Sequence, residues 1–219
     1  MGLDMYLERM PRYKDCTADS VSAIEDFFSL QRYQKETGKT NMTLEKWCGR
    51  SESELPPPDA VEFYKQYYTK KHEDDIFRRI AEEVGYWRKV NAVHNWFVEH
   101  VQCGEDDCQY HREVTASDLQ QLKSVCAQIL SRVKLKPGKI HTGTRFNGNT
   151  VEQMYEDGFV VTNPSICEEL LPSTAGFFFG STDYDEYYLD SLRDTIEICD
   201  RVLETTDFNT QMIYYCSSW

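Results

Sequence analysis

The sequence predicts an α+β fold in a single domain over residues 1–219, with a small mixed or antiparallel sheet covered by several helices. Three observations predict it. Leu3, Met5 and Leu7 alternate with Asp4, Tyr6 and Glu8, the period of a half-buried strand. Leu119, Leu122, Cys126, Ile129 and Leu130 recur at helical spacing behind Thr115-Ala-Ser-Asp118, a capping box with Asp in place of Glu. Strand-like and helix-like runs follow one another without strict βαβ alternation, which favours α+β over a parallel α/β sheet.

In chain order, Val21, Ile24, Phe27, Phe28 and Leu30 behind a polar lead predict an amphipathic helix that stops before Gly38. Residues 43–48 read as a short helix with Gly49 as its stop, and residues 51–58, ending in three prolines, form the candidate hinge. Asp59 caps a helix over residues 60–69. Tyr86, Val90, Val93, Phe97 and Val101 share one helical stripe, so a central helix is expected from about Ile80 to Val101. A loop over 102–109 and a short strand over 110–114 precede the capped helix. Residues 134–149 carry Pro137, Gly138, Gly143 and Gly148 together with the main positive patch, and read as a mobile loop. Helical turns at 151–156, a strand at 159–161, a short helix at 166–171 and a buried strand at 176–179 follow. A long helix over about 183–204 and a β-prone C-terminal segment at 212–216 complete the chain. The sheet is expected from the N-terminal, Phe177 and C-terminal strands.

The chain has 219 residues, with 37 acidic against 24 basic side chains and a formal net charge of −13. That balance argues against an extended nucleic-acid footprint, which needs clustered Lys and Arg, and favours basic partners. No basic leader followed by an apolar run opens the chain, and no stretch approaches the about 20 apolar residues of a membrane span, so a cytosolic protein is expected. The eight cysteines then read as reduced residues of apolar segments.

The candidate site is built around the central stretch. At helical spacing Trp87, Asn91 and His94 form a polar column beside the core stripe, with Arg88 and Asn95 on the next column. An indole, a guanidinium, an amide and an imidazole together suit stacking and phosphate reading. The competing reading is a core Trp with an amide and imidazole satisfied internally. Ser181 and Thr182, in Phe179-Gly-Ser-Thr-Asp183, could present helix N–H groups to an anion. Asp183 and Asp185 oppose that, and simple helix capping by Ser181 or Thr182 accounts for the same residues. His100, Cys103, Cys108 and His111 are of zinc-ligand type, but Cys108 and His111 are tightly spaced and three adjacent carboxylates would crowd the thiolates with charge. No metal or cofactor is expected. Nucleophile, phosphate-loop, metalloprotease and dinucleotide motifs are all absent from the sequence, so the enzyme question stays open and leans to no.

Four blocks carry a likeness. Met1-Gly-Leu-Asp-Met-Tyr-Leu7, Gly85-Tyr-Trp-Arg-Lys-x-Asn-x-x-His-Asn-Trp-Phe-Val98, Asp106-Asp-Cys108 and Gly176-Phe-Phe-Phe-Gly-Ser-Thr-x-Tyr-Asp-Glu-Tyr-Tyr188 resemble a family of uncharacterised bacteriophage and prophage proteins. The resemblance implies an accessory phage protein, working in the host cytoplasm, that binds and inhibits a host target. The target implied is a component of bacterial immunity such as a CRISPR nuclease or a nucleotide-signalling defence. The alternative, from a different class, is a nucleotide or small-molecule binding protein, or an enzyme, with a pocket around Trp87, Arg88, Asn91 and His94.

Overall fold

The structure is a computed structural model that describes residues 2–70, 78–148, 150–176 and 179–219. Among the described residues it is an α+β protein with seven α-helices and seven strands. Strands β1 (Asp4–Pro11), β4 (Glu82–Arg88) and β7 (Gln211–Ser218) form a sheet in the order β4-β1-β7. β1 begins where the alternation predicts, with Met5 and Leu7 fully buried. Two further sheets have two strands each, β2 (Thr69–Lys70) with β3 (Arg78–Arg79), and β5 (Leu135–Phe146) with β6 (Val151–Val161).

Backbone contacts divide the chain into two compact units. The first comprises Met1–Leu7, Val84–Thr206 and Tyr215–Trp219. Within it lie α4 (Asn91–His100), α5 (Ala116–Arg132), α6 (Ser165–Leu170) and α7 (Glu186–Thr205). Helices α5 and α7 pack on each other through apolar faces that bury Leu119, Leu122, Cys126, Leu192, Cys199 and Val202, and Lys123 pairs with Asp200. Burial pushes the thiols of Cys126 and Cys199 up to about 12, so both are inert apolar fillers. Gly85 is where β4 meets α7, since a Cβ there would stand 2.8 Å from Ile198 Cγ2.

The second unit comprises Glu8–Glu83 and Asp207–Tyr214. Helix α1 (Ala18–Thr37) is capped by Thr17 and stops at Gly38, whose φ of 70° suits a residue without Cβ. Helices α2 (Leu44–Cys48) and α3 (Pro58–Lys65) follow. The proposed hinge at 51–58 holds a short 3-10 turn, Glu52–Glu54, with Ser51 and Glu54 capping reciprocally, and Pro58 opens α3. Arg50 ties this stretch to α1 through Asp26 at 3.0 Å and Ser22 at 3.3 Å. Burial raises the pKa of Glu25, whose carboxylate nonetheless accepts from the N–H groups of Ile80 and Ala81.

Four expectations are corrected. The central helix is split: residues 82–88 are β4, and the helix begins only at Asn91. Strand period explains the apolar spacing of 85–88 equally well, with Gly85 and Trp87 buried and Tyr86 and Arg88 exposed. Residues 135–146, most of the stretch 134–149 expected as a loop, and 151–156, expected as helical turns, instead lie in the strands of the β5–β6 ribbon. The glycines sit where a ribbon needs them. A Cβ on Gly138 would meet Val160 Cγ2 at 2.7 Å, and the register shifts between His141 and Gly143. Residues 110–114 form no strand. The third strand of the sheet is β4, and the Phe177 strand lies outside the described residues.

The capping box of α5 is present as read. Thr115 accepts from the Asp118 N–H at 3.2 Å, while the Asp118 carboxylate accepts from the Thr115 N–H at 2.8 Å and from Arg112 at 2.7 and 2.9 Å. Burial opposes ionisation of Asp118, but these donors outweigh it and hold its pKa down at about 2. The folded pKa is thus depressed, and its contribution is present above the usual carboxylate range and is lost as pH falls toward 2. Partial exposure limits the effect. Asp118→Asn is expected to cost about 1 kcal/mol at pH 7, with the deficit shrinking toward pH 2, as urea unfolding at both pH values would measure.

Candidate functional site

The site lies in the first unit, where β4 turns into α4. Arg88 ends the strand, Lys89 and Val90 make the connection, and Asn91 starts the helix. Lys89 is held with φ at 58°, a left-handed backbone that costs a β-carbon residue roughly 1–2 kcal/mol. Gly180 makes room for this turn. Its own φ is 93°, and a Cβ there would stand 3.1 Å from both the Lys89 carbonyl oxygen and Lys89 Cβ.

Asn91 fixes the opposite chain segment. Its amide nitrogen donates to the carbonyls of Phe179 at 3.2 Å and Ser181 at 2.8 Å, and its oxygen accepts from the Thr174 N–H at 3.0 Å. One buried amide therefore spans three backbone groups of residues 174–181. Each such bond contributes about 1 kcal/mol, and more is at stake if a buried partner is left unmade.

His94 lies one turn further along α4 and is buried. Nδ1 is 2.7 Å from the Tyr215 hydroxyl and Nε2 is 3.1 Å from Asp106 Oδ2. The Trp219 indole N–H donates to the other Asp106 oxygen at 3.2 Å. Phe179 meets the imidazole edge-on at 5.2 Å, and Tyr215 stacks on Phe97 at 4.1 Å. Burial is the first reason that the Tyr215 phenol is raised well above its ordinary value, so it stays neutral. Both imidazole nitrogens are engaged by internal partners.

A cleft of about 570 Å³ opens above the β4–α4 turn. Its base is Arg88, Lys89, Val90, Asn91 and Ala92; Gly180, Ser181, Asp183 and Asp185 form one side; Tyr187, Asp190 and Asp194 of α7 form another; and His141, Thr142 and Glu156 of the ribbon close it. The charge is unequal. Five carboxylates face two cations, and Arg88 is already paired with Asp4 at 3.2 Å. Asp190 pairs with Arg193, and the Tyr187 hydroxyl donates to Glu156 at 3.2 Å. Asp185 is buried, which raises its pKa, and it caps α7 by accepting from the Tyr188 N–H at 3.0 Å. Asp183 and Asp194 are exposed and among the described residues carry no ion pair.

Of the residues singled out in sequence, Arg88, Asn91 and Ser181 line this cleft. Trp87 and His94 do not. Trp87 points inward from β4 and donates its indole N–H to Thr195 at 3.0 Å, so it offers no stacking surface beside Arg88. Asn95 is half-buried on α4, and Thr182 is exposed; neither lines the cleft. Ser181 and Thr182 do not cap α7, which begins only at Glu186 and is capped by Asp185; the Ser181 hydroxyl accepts instead from the Asp183 N–H at 3.1 Å. The zinc-type residues stay apart. His100 stacks on Trp96, the Ser217 hydroxyl meets Cys108 Sγ at 3.9 Å, and His111 Nε2 is 2.8 Å from Asp107.

Sequence reasoning missed Lys89, Asp183, Tyr187 and Asp194. A signal was present: Asp183, Tyr187, Asp190 and Asp194 are spaced by four, three and four residues, which sets the last three on one face of a helix. Asp106 and Tyr215 carried no comparable cue, because 121 residues separate Tyr215 from His94.

His94→Ala leaves the Tyr215 hydroxyl and Asp106 without a buried partner and opens a cavity, so a loss of about 2–4 kcal/mol is expected. Lys89→Gly relieves the left-handed backbone and should change stability by less than about 1 kcal/mol in either direction. Thermal melts of the two variants, compared with the parent chain, give the contrast.

Comparisons with family models, with curated proteins and with solved structures find no match for the chain.

Proposed function

We propose that this chain is a non-enzymatic binding protein, and that its cleft receives a basic segment of a partner protein. The observation that carries the reading is the charge of the cleft: five carboxylates against two cations, with Asp183 and Asp194 exposed and carrying no ion pair among the described residues and the Tyr187 ring exposed between them in sequence. A lysine or arginine side chain would exchange its hydration for these carboxylates and for the face of Tyr187. The net charge of −13 adds long-range attraction that speeds encounter with a basic surface. His94 supports the non-enzymatic side, because it is buried and both of its nitrogens are engaged internally. The likeness to phage proteins, drawn from the sequence blocks, makes the partner a host protein and the chain an accessory inhibitor. A CRISPR nuclease or a nucleotide-signalling component is then the kind of target to try first.

A second reading is favoured by one specific observation. Helix α4 starts at the base of the cleft with Val90 at its N-cap, which supplies no side-chain cap, beside Lys89. A phosphate would suit that end of the cleft. The surrounding carboxylates weigh against it, since each repels an anion brought near Lys89.

The two readings separate by charge. For a basic segment, Asp183→Asn combined with Asp194→Asn should weaken capture from host lysate by about tenfold, and raising salt from 0.1 to about 0.5 M should weaken it further. Capture unchanged by both treatments would refute the acidic cleft as the docking site. For a nucleotide, Lys89→Ala should abolish binding while Asp183→Asn strengthens it, which calorimetric titration with ATP would register.

A further inference from the structure

The β5–β6 ribbon carries a partly apolar face that the described residues leave open. Residues directly opposite each other in an antiparallel pair share one side, and successive residues alternate sides. The register pairs Pro137 with Phe159, Lys139 with Asp157 and His141 with Tyr155, so these six side chains belong to one face. Tyr155 is 57% and Phe159 47% exposed, and Pro137 is exposed as well. Lys139 and Asp157 pair at 2.7 Å in the middle of the face, and His141 meets Tyr155 edge-on at 5.5 Å. The opposite face is covered where the ribbon joins α7. Ile140 is buried there, and a Cβ on Gly158 would stand 2.6 Å from both Ile140 Cδ1 and Glu186 Oε1.

The open face calls for a partner. Residues 151–157 of β6 are all exposed, and two strands without a further layer are only marginally stable in water. Addition of another strand is blocked near α7 on both edges. Pro137 has no N–H to offer from β5, and on β6 the Phe159 N–H donates to Glu186 at 3.1 Å and the Val161 N–H to the Tyr184 carbonyl at 2.9 Å. Docking there goes through the side chains of the face.

We propose that this face binds the same face of a second copy of the chain, about a two-fold axis parallel to the strands. The placement of charge selects this occupant. Such an axis lays β5 of each copy over β6 of the other, so Lys139 of one copy meets Asp157 of the second and the reverse, while the Phe159 and Tyr155 rings lie over Pro137 and His141. A two-fold across the strands would set Lys139 against Lys139 and Asp157 against Asp157, which like-charge repulsion disfavours. Net charge acts in the same direction. The −13 of the whole chain repels copies, whereas residues 134–161 hold four Lys or Arg against three Asp or Glu, so repulsion is least where the ribbons meet. The association is independent of what the cleft receives, since neither Lys139 nor Asp157 lines it.

Sedimentation equilibrium of the full chain from about 1 µM to about 1 mM tests the proposal. A monomer–dimer equilibrium is expected. Asp157→Lys and Lys139→Asp should each weaken it by at least about tenfold, because each sets like charges across the axis. An equimolar mixture of the two variants should dimerise as the parent chain does, since opposite charges then meet between copies, and the double exchange Lys139→Asp with Asp157→Lys should recover by itself. Both side chains are exposed and their pair within one chain adds little stability, so the variants keep the fold. Tyr155→Ser with Phe159→Ser should weaken the dimer whatever the charges. A chain that stays monomeric throughout the range, a dimer indifferent to the single exchanges, or a mixture that fails to recover would overturn the assignment.

Discussion

The left-handed backbone at Lys89 is the constraint on which the first unit depends. It lets β4 reverse into α4 across two residues, so the strand that carries Trp87 inward and the helix that carries Asn91 and His94 are set by one turn. A longer connection would free the helix to slide, and the Asn91 amide would then miss its three backbone partners. Strain of roughly 1–2 kcal/mol at one residue is offset by those bonds and by the close approach of Gly180, where a β-carbon would be crowded against Lys89 and strained by the positive φ. The cleft lies over this turn, so its base is positioned by the same hydrogen bonds although its sides come from distant parts of the chain.

Buried polarity serves the same end. Asn91 and His94 lie on a helix whose neighbouring residues Ala92, Val93, Trp96, Phe97 and Val98 are apolar and buried. An apolar helix face can shift by a turn at modest cost, whereas an imidazole between Tyr215 and Asp106 accepts one register only. The hydrogen bonds thus supply specificity, and the area burial around them supplies stability. This division explains why His94, which looks functional in sequence, is found inside the protein, and why Asn91, although it lines the cleft, spends its amide on three backbone groups.

Legibility followed the range of the cue. β1, α1, α5 and β7 each carry a local signature, alternation or a cap followed by a stripe, and each was readable within a few residues. The central stretch was misread because residues 86–101 satisfy a 3.6-residue period while residues 85–88 also satisfy a period of two, and nothing local marks Lys89 as left-handed. The β5–β6 ribbon was misread for another reason. Its glycines and basic residues resemble loop composition, yet Gly138 is required by contact with Val160 across the ribbon, a tertiary demand that no single-strand pattern displays. Within the site, Arg88, Asn91 and Ser181 were legible as polar residues at element junctions. Asp106 and Tyr215 were not, because their meeting with His94 is made by the fold.

The charge of the cleft narrows what it can hold. Helix α7 begins at Glu186 and is capped by Asp185, and carboxylates at that end of a helix are stabilised by the partial positive charge of its N–H groups. Asp183 and Asp185 therefore have a structural reason to be acidic. Asp194 has none: it lies two turns further along α7, is exposed and carries no ion pair among the described residues. A carboxylate at that position, on the face shared with Tyr187 and Asp190, adds self-repulsion without stabilising the helix. On the proposed reading, a cation that enters the cleft relieves that cost, and the relief adds to its binding. An anion at Lys89 would instead add to the repulsion among the five carboxylates of the lining.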